Sequence, residues 1–380
     1  MAAAKYSNQS FDYVLLGTTA FLLIFGIIIL ASVSAPYSQQ KFGNTYYFLK
    51  HQIFFGLLPG LALGYLAFKI KLSTVKKWIP LLLLANLLLM VIVFIPGLGL
   101  KIEGATRWLK LGPFSFQPSE FLKITFILYL AAWLANRLPS QGKAASPAEK
   151  NFSRTFAVFL AIFALIASTL ILQSDISTLG VIFFVSFLMY FSRNTPLWHS
   201  ASIILLGMAS FFFLVKLAPY RLNRILVFLN PEKYTMGIGY QLSQSRLTIG
   251  SGGIIGTGLG LSSQKFFTGY LPVSISDSIF VIFSQETGFV GSFLLIALFL
   301  IFLWRGFKIT KEAKDKFSQT AALGIVSWIV IQTFINIGAM IGILPVTGIP
   351  LPFISYGGSA LIATLIGTGL LLNISKNRYQ

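Results

Sequence analysis

The chain has 380 residues, 56% of them hydrophobic and only 10% charged, with a mean hydropathy of +0.80, which excludes an ordinary soluble globular protein of this length. The formal charge of +19 at pH 7 does not point to nucleic acid, because the basic residues gather at the ends of apolar spans, where they meet anionic lipid headgroups. With no cysteine and only His51 and His199 for imidazole, disulfides, thiolate nucleophiles, cysteine-ligated metals and histidine-based triads are set aside.

Runs of about 17 to 25 apolar residues suffice to cross a bilayer core. Ten are present: Tyr13 to Ser32, His51 to Phe68, Trp78 to Ile95, Glu120 to Leu134, Phe156 to Leu172, Ile176 to Phe191, Trp198 to Val215, Ser278 to Leu303, Ala321 to Leu344, and Ile354 to Ile374. The expected fold is an all-α polytopic membrane protein with ten transmembrane helices in one domain, 1–380. The first run is too long for a signal peptide, and Pro36 and further spans come after it, so it reads as a retained helix. The fifth and sixth spans, separated only by Gln173-Ser174-Asp175, form a tight hairpin.

Orientation follows from lysine and arginine in the short loops. Seventeen fall on one side, from Lys5 through Arg137 and Lys308 to Arg378, and five on the other: Lys41, Lys50, Lys101, Arg107 and Lys110. Both termini are therefore expected to be cytoplasmic, with the large loop 216–277 outside.

The connection after span three runs from Pro96-Gly97 through Arg107, Trp108 and Gly112-Pro113 to Gln117-Pro118-Ser119-Glu120. It is too apolar for a free aqueous loop and too rich in glycine and proline for a span, so it belongs against protein or a wet cavity. Ser119 can cap the fourth helix, and Lys123 shares a face with Glu120. Two readings stay open: a capped helix with a pairing lysine, or a Glu120–Lys123 pair lining an outward cavity. Asp175, at the start of span six, is either a helix cap or a site residue.

In the long loop, Leu222, Ile225, Leu226 and Leu229 fall at helical spacing opposite Arg221 and Arg224, predicting a short interfacial helix stopped by Asn230-Pro231. Its basic face would meet an anionic headgroup or simply the bilayer. The glycine-rich stretch Gly250 to Gly260, flanked by Arg246 and Lys265, matches neither a dinucleotide fingerprint nor a Walker motif, but glycine backbone can approach phosphate closely. The loop ends at Asp277, a carboxylate where the chain re-enters an apolar helix and hence a functional candidate. Glu286, nine residues on, would lie about 13 Å further along a continuous helix and reads as a buried structural group.

These motifs resemble one family. Arg107-Trp108-Leu109-Lys110-Leu111-Gly112-Pro113 with Gln117 to Lys123, the Gly239-Tyr240-Gln241 to Gly260 block, Ser263-Gln264-Lys265 to Pro272, and Asn336 to Ser359 with its Leu344-Pro345-Val346-Thr347-Gly348-Ile349-Pro350-Leu351-Pro352-Phe353-Ile354-Ser355-Tyr356-Gly357-Gly358-Ser359 are similar to signatures of the SEDS proteins, among them FtsW and RodA. The resemblance implies a peptidoglycan glycosyltransferase that polymerises lipid II at the outer face of the bacterial plasma membrane, with a class B penicillin-binding protein as transpeptidase partner. It implies Asp277 as the essential aspartate, and Glu120, Lys123 and Asp175 at the family's other polar motifs. Two departures stand out: Val273 replaces the acid after Pro272, and Ser278 replaces a phenylalanine after the aspartate.

As an expectation, Asp277 is the general base, and Arg107, Lys123, Arg221, Arg246 and Lys265 are candidates to neutralise the leaving pyrophosphate, with Glu120 orienting Lys123. A divalent cation such as Mg or Mn would serve the same purpose, although no ligand set is legible. With Val273 in place of the acid, Glu120 and Lys123 are the groups expected to tune Asp277. The alternatives are a lipid II transporter, disfavoured by the nearly charge-free inner halves of the spans, and a non-catalytic scaffold that activates a transpeptidase.

Overall fold

The computed structural model describes residues 11–102, 105–112, 114–137, 152–193, 195–234, 237–261 and 275–376. The helices are α1 (Tyr13–Phe42), α2 (Tyr47–Gln52), α3 (Leu58–Lys69), α4 (Leu72–Ile92), α5 (Pro118–Arg137), α6 (Phe152–Leu172), α7 (Ile176–Phe191), α8 (Leu197–Lys216), α9 (Pro219–Leu229), α10 (Tyr240–Ser251), α11 (Ile279–Glu312), α12 (Lys316–Ile341) and α13 (Gly358–Lys376). A π-helical turn, Ile53–Leu57, joins α2 to α3, so Tyr47–Lys69 is one continuous span. Among the described residues nine helical segments are long and apolar enough to cross a membrane, and α7, with 16 residues, is a shorter apolar helix.

Helices α5, α12 and α13 form the centre, with 67–78% of their apolar windows buried, whereas α4, α6, α8 and α11 bury only 22–28% and present apolar side chains outward. That gradient suits a lipid solvent, in which close packing and hydrogen bonds rather than water exclusion hold helices together. The α3–α13 contact shows how the sequence arranges this. Gly60 and Gly64, one turn apart, lie flat against α13; a Cβ on Gly64 would come 2.9 Å from the carbonyl oxygen of Leu365.

The all-α expectation is incomplete. The connection between α4 and α5 folds into a three-stranded antiparallel sheet of β1 (Gly99–Ile102), β2 (Ala105–Leu111) and β3 (Phe114–Phe116), in the order β1-β2-β3. Strand pairing satisfies backbone groups that an irregular apolar loop would leave without partners near the bilayer.

The glycine-rich stretch also differs from expectation. Its first part is helical, as α10, and the residues after Ser251 enter a gap in α11. At Gly288 (φ 67°, ψ −162°) α11 leaves helical geometry, which strands backbone groups on both sides of the break. The 252–258 segment takes them up: Thr257 N donates to Gln285 O (2.9 Å), Gly258 N to Glu286 O (3.0 Å), Phe289 N to Gly253 O (2.9 Å) and Val290 N to Ile254 O (3.1 Å). Glycine is required on both faces, since a Cβ on Gly256 would lie 2.6 Å from Gly288 N. In the described part, glycine therefore serves backbone-to-backbone approach. Glu286 lies before the break, in the helical start of α11, and is buried, its Oε2 accepting from Ser32 Oγ at 2.8 Å.

Candidate active site

Asp277 lies just before α11, whose N-cap is Ser278, so it stands outside the helix rather than in its first turn. It is 8% exposed. Its backbone is fastened from three directions: Asn336 Nδ2 on α12 donates to Asp277 O (2.8 Å), Ser355 Oγ donates to Ser276 O, and Tyr356 N donates to Ile275 O (2.9 Å). Ser276 Oγ approaches Asp277 Oδ1 at 3.4 Å. The carboxylate lies over Gly348 (φ 74°), where a Cβ would be 3.6 Å from Oδ2.

One turn back along α12, Gln332 collects a second set of polar groups. Its Oε1 accepts from Lys123 Nζ (2.9 Å) and Trp328 Nε1 (2.8 Å), while its Nε2 donates to Pro350 O (2.8 Å). Lys123 also pairs with Glu120 Oε2 at 2.8 Å and lies 5.2 Å from the centre of the Trp328 ring. Both charges are buried, Lys123 at 1% and Glu120 at 2% exposure, so they do not line an open cavity. The reason is local: Lys123 is one turn into α5, facing α12, where Gln332 and Trp328 offer an acceptor and a π face in place of water. The two groups nonetheless converge on one feature, because Gln332 holds Pro350 and Asn336 holds Ile349 O (2.7 Å) next to it.

Asp175 is the N-cap of α7. It accepts from Thr178 N (3.3 Å) and from Ser119 Oγ (3.0 Å), tying the α6–α7 turn to the start of α5. Arg107, on β2, closes the same corner, its Nε donating to Gln173 O (3.2 Å) and Nη2 to Ser174 O (2.5 Å). Its guanidinium thus holds the reversal of chain at Ser174, whose φ is 58°. Arg221 donates to Leu214 O (2.8 Å) at the end of α8 and packs on Tyr220, while Arg246 is near Gly342 O (3.3 Å) at the end of α12. Lys265 and the Tyr270 to Ser274 motif lie outside the described residues.

Between α9 and α10 there is a cavity of about 60 Å³ lined by Arg224, Phe228, Ile238, Gln241, Leu242 and Val346, among others. Gln241 Nε2 donates to Ser278 Oγ (3.1 Å), so this cavity adjoins the chain that carries Asp277. Sequence reasoning missed Gln332 and gave Asn336, at the start of the last signature block, no role. The available signal was their spacing, two amides at i and i+4 in an otherwise apolar helix, where polar groups cost free energy unless bonded.

The profile of the cell cycle protein family FTSW_RODA_SPOVE matches residues 13–380. The chain belongs to this family. Among similar proteins, Stage V sporulation protein E of Bacillus subtilis is 39% identical over 372 residues, covering 97% of this chain and 98% of that protein. A probable peptidoglycan glycosyltransferase FtsW of Geobacter metallireducens is 37% identical over 367 residues, covering 97% and 95% respectively. In fold, the FtsW/RodA/SpoVE chain described here resembles a chain of a peptidoglycan synthase complex that coordinates polymerization and crosslinking, with a TM-score of 0.78 at 28% identity and coverage of 98% and 99%. It also resembles the rod shape determining protein RodA of Thermus thermophilus, with a TM-score of 0.70, 27% identity and 98% coverage of both chains.

Proposed function

We propose that this chain is a peptidoglycan glycosyltransferase that polymerises lipid II, with Asp277 as general base. The observation that carries the assignment is a carboxylate 8% exposed at the start of α11, whose backbone is clasped by α12 and by the 349–357 segment. A base must be held still and partly shielded to be effective, and this one is.

In the step proposed, the acceptor sugar's 4-hydroxyl oxygen forms the new bond to the donor's anomeric carbon. The bond from that carbon to the undecaprenyl pyrophosphate breaks, and the hydroxyl proton passes to Asp277. Pyrophosphate leaves with its electron pair and needs positive charge. Arg224 lines the cavity and is the described side chain proposed to supply it, with Arg246, further along α10, and Lys265, from the sequence alone, as further candidates. Arg107, Arg221 and Asp175 serve by bracing the chain around the site, and Glu120–Lys123 by holding Gln332 and, through it, Pro350. A cavity of about 60 Å³ is far smaller than a lipid-linked disaccharide, so the headgroup binds across the open face or between parted α9 and α10.

Among the described residues no group of three or more His, Asp or Glu side chains could hold a metal ion. No step above depends on Mg or Mn.

The same reading places the protein in the bacterial plasma membrane as a multi-pass protein with ten spans, both termini cytoplasmic and 216–277 outside, beside a class B penicillin-binding protein. Asp277→Ala protein, assayed with lipid II on gels beside the parent, is expected to lose polymerisation by about 10²- to 10⁴-fold. Polymer formed at the parental rate would overturn the assignment.

A further inference from the structure

We infer that Asn336 is a positioning residue for Asp277, and that its side-chain amide sets the angle at which the carboxylate meets the acceptor sugar. The inference rests on the glycosyltransferase reading above. Asn336 is 1% exposed on α12, and both hydrogens of its Nδ2 are spent on backbone carbonyls, Asp277 O at 2.8 Å and Ile349 O at 2.7 Å. Its Oδ1 is buried with no hydrogen-bond partner. The orientation of the amide is fixed by chemistry, since turning it over would set an oxygen against two carbonyl oxygens and leave the donors idle.

What the clasp joins matters more than that it exists. One carbonyl belongs to the residue carrying the carboxylate, and the other comes just after Gly348, the residue that carboxylate lies over. Asn336 therefore fixes Asp277 and its floor relative to each other. The other two fastenings act on neighbouring residues instead: Ser355 Oγ donates to Ser276 O and accepts from Leu351 N, and Tyr356 N donates to Ile275 O. Four residues from Gln332, or about 6 Å along the helix, Asn336 also shares a rigid helix with the group that anchors Lys123 and Pro350.

A second asparagine supplies the control. Asn373 on α13 makes the same two-carbonyl clasp, to Ala67 O (2.8 Å) and Ile70 O (2.6 Å), and is likewise buried at 6% exposure. It sits at the opposite end of the bundle, so its loss removes the same bonds without touching Asp277.

The experiment compares purified full-length parent, Asn336→Asp, Asn336→Ser, Asn373→Ala and Asp277→Asn for thermal stability and for the rate of lipid II polymerisation per folded molecule across pH. Asn336→Asp keeps the shape, removes both donors and adds a carboxylate beside Asp277. A neighbouring negative charge raises the pH at which Asp277 gives up its proton, so the acid limb of the rate profile moves to higher pH. The expected result is a fall in kcat of about 10²-fold, the scale of a small misplacement of a catalytic group, with KM for lipid II little changed. Asn336→Ser, which adds no charge, is expected to lose kcat without the pH shift and covers the case in which the aspartate variant does not fold. Asn373→Ala is expected to melt lower while keeping the parental kcat and profile. The inference is overturned if both Asn336 variants keep the parental kcat, or if they lose it only in proportion to stability as Asn373→Ala does. Should Asp277→Asn retain the parental rate, it is the glycosyltransferase assignment of Asp277 that falls, whatever the Asn336 variants do.

Discussion

Lys123 shows what a buried ammonium demands of its surroundings. One carboxylate, one amide oxygen and one indole ring surround it at 2.8, 2.9 and 5.2 Å, and the amide is itself held by a backbone carbonyl. A pair of this kind owes its worth to completeness, because removing one member leaves the other charged and unpaired in a poor solvent. Lys123→Ala is expected to destabilise the protein by about 3–5 kcal/mol, read as a lower melting temperature in detergent. Lys123→Met combined with Glu120→Leu is expected to recover most of that loss. If the single and double variants melt alike, the pair is not the support described. At this scale the sequence was legible in part. Asp277 stood out because a carboxylate at the start of an apolar helix needs a reason, and so did Glu120 and Lys123. Their partners did not, since glutamine and asparagine in a helix carry no charge and reveal their role only when the facing backbone is known.

At the scale of the element, each of the ten apolar runs corresponds to a helical segment, because hydrophobicity over about 20 residues is a strong signal that the bilayer itself imposes. Boundaries moved in both directions: α1 continues to Phe42 through Pro36 and α11 reaches Glu312, whereas α12 stops at Ile341 and α13 begins only at Gly358. The sheet β1–β3 and the helix α10 were not legible. The first has glycine and proline at both ends and only seven residues in its longest strand, and the second reads as polar and glycine-rich in sequence. What decides both is pairing with distant chain, which local pattern does not record. The break in α11 was hidden for the same reason. Its backbone lies in a region essentially reserved for glycine, so Gly288→Ala is expected to cost about 1–3 kcal/mol from strain alone, with more from contact against Gly256 N. Faster proteolysis between Gly252 and Leu261, measured against the parent, would register the displaced segment; unchanged cleavage would mean the two pieces are not interdependent.

For the whole molecule, two of the buried helices, α5 and α12, carry Glu120, Lys123, Gln332 and Asn336, whereas Asp277 lies just before the more peripheral α11 and is tied back to that centre. Helix α12 is the common support, bonded to Lys123, Pro350, Ile349 and Asp277 from two adjacent turns. Orientation is testable because the chain has no cysteine. In Leu261→Cys, placed where the side chain is 70% exposed, a membrane-impermeant maleimide is expected to label intact cells. In Lys314→Cys, between α11 and α12, labelling is expected only after permeabilisation. The reverse pattern would invert the proposed topology and place Asp277 on the cytoplasmic side.

The break at Gly288 also dictates an order of assembly. The 252–258 segment that fills it is synthesised about thirty residues before the helix it completes, so the patch is already made when the gap emerges. With Gly288 in its non-helical geometry, the carbonyls of Gln285 and Glu286 and the amides of Phe289 and Val290 are bonded to this segment, a role that lipid cannot fill. Helix α11 is therefore not an independently stable span. It is completed by the patch that packs against it. The outer loop is thus a structural part of the membrane span itself rather than a cover laid over it.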